Sequence, residues 1–329
     1  MRTPRLFLLG FLMLCAGGSL LRTSVGAQSP GKERPGDARL PSKKPPVAPP
    51  NASPTYTLLA NLSDPRITES SGIAASRRAP SVFWTHNDSG DGPYVFAIDR
   101  KGRTLARYTV TGARNVDWED IAVGPGTDGQ PALYIGDIGD NGRSRNDTAV
   151  YRVAEPKPDI RKTMQEEATA PCEKLPYRYP DGHHDCETLM VHPQTGEVFL
   201  VTKEGSGLSG VYKFPMPLTP GQQATLVKIG TITFRSSFLT GRLALAEKMA
   251  TGGDIAPNGR RFVVRTYLQA YEWPLASGQS LSDALKARPR AFLLPLTGQG
   301  EAVCYRLDSR ALLTTSEGAH SPLYEVSLR

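Results

Sequence analysis

Trp118-Glu119-Asp120-Ile121-Ala122-Val123, followed by Leu133-Tyr134-Ile135-Gly136-Asp137-Ile138-Gly139-Asp140-Asn141-Gly142, is the stretch that decides the fold. An acidic residue opens one apolar run and another closes the next. Two such runs joined by a turn pair antiparallel, which puts Glu119 and Asp137 at the same end. The pattern recurs four more times. Glu69-Ser70-Ser71-Gly72-Ile73 leads to Val82-Phe83-Trp84-Thr85-His86-Asn87-Asp88, and Asp185-Cys186-Glu187-Thr188-Leu189 leads to Val198-Phe199-Leu200-Val201-Thr202-Lys203. Gly253-Asp254-Ile255-Ala256 leads to Arg261-Phe262-Val263-Val264-Arg265, and Gly300-Glu301-Ala302-Val303 leads to Ala311-Leu312-Leu313-Thr314-Thr315-Ser316-Glu317.

Short strands with Pro- and Gly-bearing turns, repeated every fifty to seventy residues or so, predict the blades of a β-propeller. The fold class is therefore all-β, a single propeller of five four-stranded blades. The long stretches 155–184 and 215–250 leave room for a sixth. The fifth unit runs out after its third strand, and Tyr56-Thr57-Leu58-Leu59-Ala60 has the character of the missing outer strand, so the N-terminal strand is expected to close the ring. Helix is expected only as short turns near 159–167, 243–249 and 280–287.

In a propeller the first strand of each blade lines the central channel, and its start shares a face with the end of the second strand. Glu69, Glu119, Glu187, Asp254 and Glu301 are thus predicted around one channel mouth, beside His86, Asn87, Asp88, Asp137, Lys203, Arg265 and Glu317. Carboxylates crowded around a narrow mouth repel unless cations, protons or donors intervene. Lys203 and Arg265 satisfy some. Calcium, which takes hard oxygen ligands at flexible geometry, suits the rest, with Glu69, Glu119, Asp137 and Glu187 as its ligands. The competing reading is that these acids accept hydrogen bonds from neighbouring blades and hold the ring together. Glu119 and Glu187 as bases, assisted by His86, are the candidate catalytic residues. His183 and His184 approach the same mouth from the third blade. The loops Asn87–Gly92 and Asp137–Gly142 carry oxygen side chains before glycines, but the first has Ile98 where a helix-loop-helix calcium loop has its closing glutamate. Both read as turns.

The rest of the chain sets the context. Arg2 and Arg5, an apolar run from Leu6 to about Leu21, and Ser24-Val25-Gly26-Ala27 make residues 1–27 a secretory signal peptide. Leu14 directly before Cys15 stands where a lipoprotein signal has a small residue, which argues against a lipid anchor. Residues 28–55, with Lys43-Lys44-Pro45-Pro46-Val47-Ala48-Pro49-Pro50, have too few apolar groups to offset their ordering entropy and form a tether; residues 56–329 form the propeller. The formal charge is +7. Arg2, Arg5 and Arg22, with the tether's Lys32, Arg34, Arg39, Lys43 and Lys44 against Glu33 and Asp37, account for nearly all of it, so the propeller carries no basic footprint for nucleic acid. No other apolar run is long enough to span a bilayer. Of the cysteines remaining after export, Cys172 and Cys186 are positioned in sequence to close a short disulfide loop.

Val82–Asp91, Asp117–Pro125, Leu133–Gly142 and Thr251–Tyr267 resemble a group of exported bacterial β-propeller proteins over nearly all of residues 56–329. More distantly, the leading acids resemble the layout of the calcium-activated nucleotidases (apyrases), five-bladed propellers with calcium in the central channel. The second unit is the closest match. The longer loops that bring nucleotide-binding residues in that family have no counterpart here. Regucalcin-like lactonases and phytase-type propellers share the architecture only. The expectation is an exported, periplasmic or extracellular, monomeric propeller. It binds a small molecule or protein on the acidic face with calcium as its cofactor; the alternative is a metal-dependent hydrolase of a phosphate ester or lactone.

Overall fold

Each repeat forms one small antiparallel sheet. The computed structural model describes residues 54–235 and 240–328; the expected signal peptide with Cys15, nearly all of the expected tether, and Arg329 lie outside them. After β1 (Thr55–Asn61), blade one consists of β2 (Ser70–Ala75), β3 (Val82–Asn87), β4 (Tyr94–Asp99) and β5 (Thr104–Thr109). Blade two consists of β6 (Trp118–Pro125), β7 (Pro131–Asp137), β8 (Ala149–Ala154) and, beyond a short β9 (Gln165–Ala168), β10 (Glu173–Arg178). Blade three has β11 (Cys186–Val191), β12 (Val198–Thr202), β13 (Leu208–Lys213) and, beyond β14 (Ala224–Thr225), β15 (Val227–Thr233). Blade four has β16 (Ala250–Ile255), β17 (Arg261–Thr266), β18 (Gln269–Pro274) and β19 (Arg290–Leu293). Blade five has β20 (Gly300–Tyr305), β21 (Ala311–Ser316) and β22 (Pro322–Ser327), and β1 supplies its outer strand, antiparallel to β22.

The count is five sheets, and their inner strands β2, β6, β11, β16 and β20 abut one another in a closed ring. The stretches that left room for a sixth blade hold edge strands instead. β9 pairs parallel with β5 of blade one, and β14 pairs parallel with β10 of blade two. No helix forms over 159–167, where a turn runs into β9. The other two expected turns are α1 (Gly241–Ala246) and α2 (Leu281–Ala284).

Packing follows from the alternation of each strand. Both faces of an inner strand are covered by the neighbouring blades, so these strands are almost wholly buried. Five apolar clusters result, one per interface between blades; Trp84, Trp118 and Ile135 fill the one between blades one and two. The hairpin from first to second strand turns at Gly129, Gly196 and Gly259 with φ of 75°, 70° and 66°, a left-handed conformation that glycine adopts without strain; Ser309 takes the same place in blade five at φ 57°.

The expected disulfide is absent. Cys172 packs against the apolar cluster between blades one and two, whereas Cys186 is buried between blades two and three, and both thiols are free. The Cys186 thiol faces the Val201 carbonyl at 3.3 Å, and burial pushes it up to about 12.

Candidate functional site

The inner strands share a local irregularity that decides which side chains reach the mouth. Each carries a β-bulge near its start: the register shifts between Ser70 and Gly72, Trp118 and Asp120, Cys186 and Thr188, Ala250 and Gly252, and Gly300 and Val303. A bulged residue is released from the ladder and its side chain is re-aimed. The second residue of each inner strand is therefore the equivalent one, and the ring reads Ser71, Glu119, Glu187, Thr251, Glu301.

Three of the five predicted acids occupy this ring and two do not. Glu69 lies ahead of β2, bridged to Glu317. Asp254 sits three residues past Thr251, deeper along the strand, where it accepts from the Tyr305 amide at 2.8 Å. Burial raises Asp254 to about 7. The hydroxyls that replace them are engaged: Ser71 Oγ donates to the Glu119 carbonyl at 2.8 Å and lies 3.4 Å from Glu301 Oε2, and Thr251 Oγ1 donates to the Gly300 carbonyl at 3.2 Å.

Around the ring stands a second tier. Asp88, Asp117 and Glu119 offer carboxylate oxygens that all lie within 4.8 Å of one another. Burial together with the charges of Asp88, Asp185 and Asp137 lifts Asp117 to about 7 against the opposing pull of Arg145. Burial, then Glu187, Asp88 and Asp117, hold Glu119 well above the ordinary carboxylate range. Gly139 makes the approach feasible, since a Cβ there would collide with Glu119 Oε1 and Asp117 Oδ2. Glu187 is ion-paired through Oε1 with Lys203, whose ammonium also lies 5.4 Å from the Tyr267 ring centre, while the buried Glu187 Oε2 has no hydrogen-bond partner. Burial, then the charges of Asp88, Glu69 and Glu187, lifts Glu317 to about 7 against a hydrogen bond with Glu301, and burial together with Glu317 holds Glu301 well above the ordinary carboxylate range.

Several predicted residues serve structure instead. Asp137 accepts from Arg145 Nη2 at 2.8 Å and from the Asp117 amide at 3.0 Å, so it positions the mouth and is already neutralised. Asn87 accepts from the Thr68 and Glu69 amides and donates to the Arg66 carbonyl and Asp91. Arg265 is committed to the backbone: its guanidinium is buried and donates to the carbonyls of Ala302, Thr266 and Tyr267 and to Thr314 Oγ1. Burial brings it down to about 10. His86 lies fully buried, edge-on to Trp118 with ring centres 5.7 Å apart, and burial lowers it to about 4, so it is neutral near pH 7 and closed to a ligand.

Sequence reasoning missed Asp117, Asp185, Tyr267 and Asp120. Asp117 was visible as the acid directly before Trp118-Glu119; the others carry no local signal. Asp120 is buried beneath the ring and accepts from the amides of Ile121 at 2.9 Å, Leu189 at 2.9 Å and Gly253 at 3.3 Å, tying blade two to blades three and four. The reading of these acids as bolts between blades describes Asp120 and Asp254; it does not describe Asp117 or Glu119.

The donor set of the mouth suits a hard cation. Every side-chain donor of the triad is a carboxylate oxygen and the oxygens converge, with the positive charges of Arg145 acting on Asp117 and of Lys203 on Glu119. Neither histidine nor cysteine is placed to favour a softer metal.

No protein-family model matches the chain, and no curated protein matches it. Among solved structures, a gluconolactonase from Xanthomonas campestris is similar over 86% of this chain and 99% of its own, at 13% sequence identity and a TM-score of 0.45.

Proposed function

We propose that the protein is an exported, monomeric β-propeller that holds a calcium ion at its channel mouth through Asp88, Asp117 and Glu119 and uses the acidic face around that ion to bind a small molecule or protein. One observation carries the reading: the convergence of three carboxylates within 4.8 Å, in a setting that raises the proton affinity of Asp117 and Glu119. A cation in that position would relieve the repulsion that protons otherwise relieve, and Glu187, with one uncommitted oxygen, would complete the oxygen shell or meet the ligand.

The test is calcium titration of chelator-treated full-length protein by calorimetry, with melting followed in parallel. Saturating calcium at about a hundred times its dissociation constant stabilises a one-site protein by about 2.7 kcal/mol. For a domain of this size that is a rise of roughly 5–10 °C. Asp117→Asn is expected to abolish most of that rise. No binding heat and an unchanged melting temperature would overturn the reading.

A second reading, a metal-dependent hydrolase of a phosphate ester or lactone, is favoured by Asp117 and Glu317 both being lifted to about 7 at the mouth. Groups that exchange a proton near neutrality are suited to general acid–base work. Calcium-dependent turnover in a panel of phosphate esters and lactones, lost in Asp117→Asn, is the result that would select it.

A further inference from the structure

The inner strands start at the acidic mouth, so the residues at their far ends gather around the opposite end of the channel axis. Arg77 stands two residues past the end of β2, His192 directly follows β11, and Asp254 is the penultimate residue of β16. β2 and β16 touch across the ring. The turns after β11 and β16 are tied by the Gln194 side-chain amide, which donates to the Pro257 carbonyl at 3.4 Å. The charge of Arg77 is felt at both Asp254 and His192, so the three groups share one neighbourhood.

Two donors there have nothing to donate to. The Arg77 backbone amide is held by the Glu155 carboxylate at 3.1 and 3.3 Å, but its guanidinium makes no hydrogen bond or ion pair among the described residues. Glu155 is already occupied by that amide and by the Trp84 indole at 2.8 Å, and Asp254 Oδ2 by the Tyr305 amide. The guanidinium is partly buried, and burial lowers its pKa against the charges of Asp254 and Glu155. None of its nitrogens is sealed from solvent, so the unpaired donors lie within reach of a ligand. A cation that has lost part of its hydration is ordinarily paired or hydrogen-bonded; this one is neither.

His192 supplies the second donor. The amides of Gln194 and Thr195 donate to its Nδ1 at 3.3 and 3.2 Å, so the proton of the neutral ring sits on Nε2. Burial lowers its pKa, which keeps the ring neutral at pH 7. The Nε2–H is unpaired among the described residues and is not sealed from solvent. Glu197, on the same turn, is taken by Lys213 at 3.0 Å and the Thr195 hydroxyl at 3.1 Å. Burial raises Asp254 to about 7, so its opposition to an incoming anion is only partial near neutrality.

We propose that this far end of the propeller binds a small oxyanion, a carboxylate or phosphate group, held by the Arg77 guanidinium and the Nε2–H of His192. The planar guanidinium presents parallel N–H groups to two oxygens, and such charge-assisted bonds are the strong ones. The proposal is independent of the calcium reading, whose residues stand at the other end of the inner strands.

Calorimetric titration of the full-length protein with inorganic phosphate, acetate and chloride, at matched ionic strength and pH 8, tests it. Phosphate, acetate or both are expected to saturate one site at least tenfold more tightly than chloride, and their order identifies the head group. Arg77→Gln should weaken that binding about tenfold or more without lowering the melting temperature, because the guanidinium it removes has no protein partner. Asp254→Asn keeps an acceptor for the Tyr305 amide and removes the opposing charge, so it should tighten binding severalfold. The ring signals of His192 in NMR spectra, assigned with His192→Gln, should shift along the same titration. The proposal is overturned if neither oxyanion saturates, if chloride binds as tightly, if Arg77→Gln leaves binding unchanged, or if the His192 signals stay still. Asp117→Asn should keep its oxyanion binding and Arg77→Gln its calcium response, so failure at one end is distinguishable from failure at the other.

Discussion

Asp120 and Glu119 are sequence neighbours with opposite roles, and the bulge between them is the reason. Asp120 stays beneath the ring, where it satisfies three backbone amides from three blades. Asp120→Ala would strand those amides in the interior. The expected loss is on the order of 3–5 kcal/mol in urea unfolding; a loss below about 1 kcal/mol would show that the amides find other partners. Glu119 is re-aimed into the mouth, among charges of its own sign. Glu119→Gln should therefore stabilise the calcium-free protein, by about 1 kcal/mol, while removing its response to calcium. Destabilisation in chelator would mark Glu119 as a structural acid. Glu119, Glu187 and Glu301 were legible because an acid before an apolar run is visible in a one-dimensional pattern. Which residue of such a run is bulged is not, so Glu69 and Asp254 were expected in the ring where Ser71, two residues after Glu69, and Thr251, three residues before Asp254, stand. Arg265 and His86 were legible as strand ends but not as buried groups, since burial there depends on Trp118 and on the carbonyls of blade five.

At the scale of elements, the five sheets and the closing role of the N-terminal strand could be read from spacing alone, because period-two alternation and turn residues are local signals. The edge strands β9 and β14 could not, because each is short and gains its hydrogen bonds from a partner far away in sequence, parallel rather than antiparallel. Strand β1 is the element with the largest consequence. It pairs with β22 from Thr55↔Ser327 to Asn61↔Pro322. Deleting residues 55–61 would leave β22 as an open edge and uncover apolar surface next to Leu323 and Val326. The expected outcome is a broad, less cooperative melt at a lower temperature, with concentration-dependent association by light scattering. A sharp melt at the parent temperature would mean that the ring does not depend on this closure.

At the scale of the whole molecule, the crowded carboxyls couple stability to pH. Asp117, Asp254 and Glu317 each titrate near 7 in the folded chain, and Glu119, Glu187 and Glu301 are lifted well above their ordinary range. Between about pH 4 and 7 the folded chain thus holds protons that the unfolded chain has released, so stability falls as pH rises through that window. His86 and His192, both lowered by burial, work the other way and are outnumbered. In chelator, the melting temperature is expected to be higher at pH 5 than at pH 8. Calcium should shrink the difference by taking the place of the protons at Asp117 and Glu119. A higher melting temperature at pH 8 in chelator would count against these shifts.

The reach of Asp120 has one more consequence. It joins β6 to β16, the inner strands of blades that are not neighbours in the ring, and β16 also touches β2 directly. Below the acidic rim the bore is therefore crossed by protein.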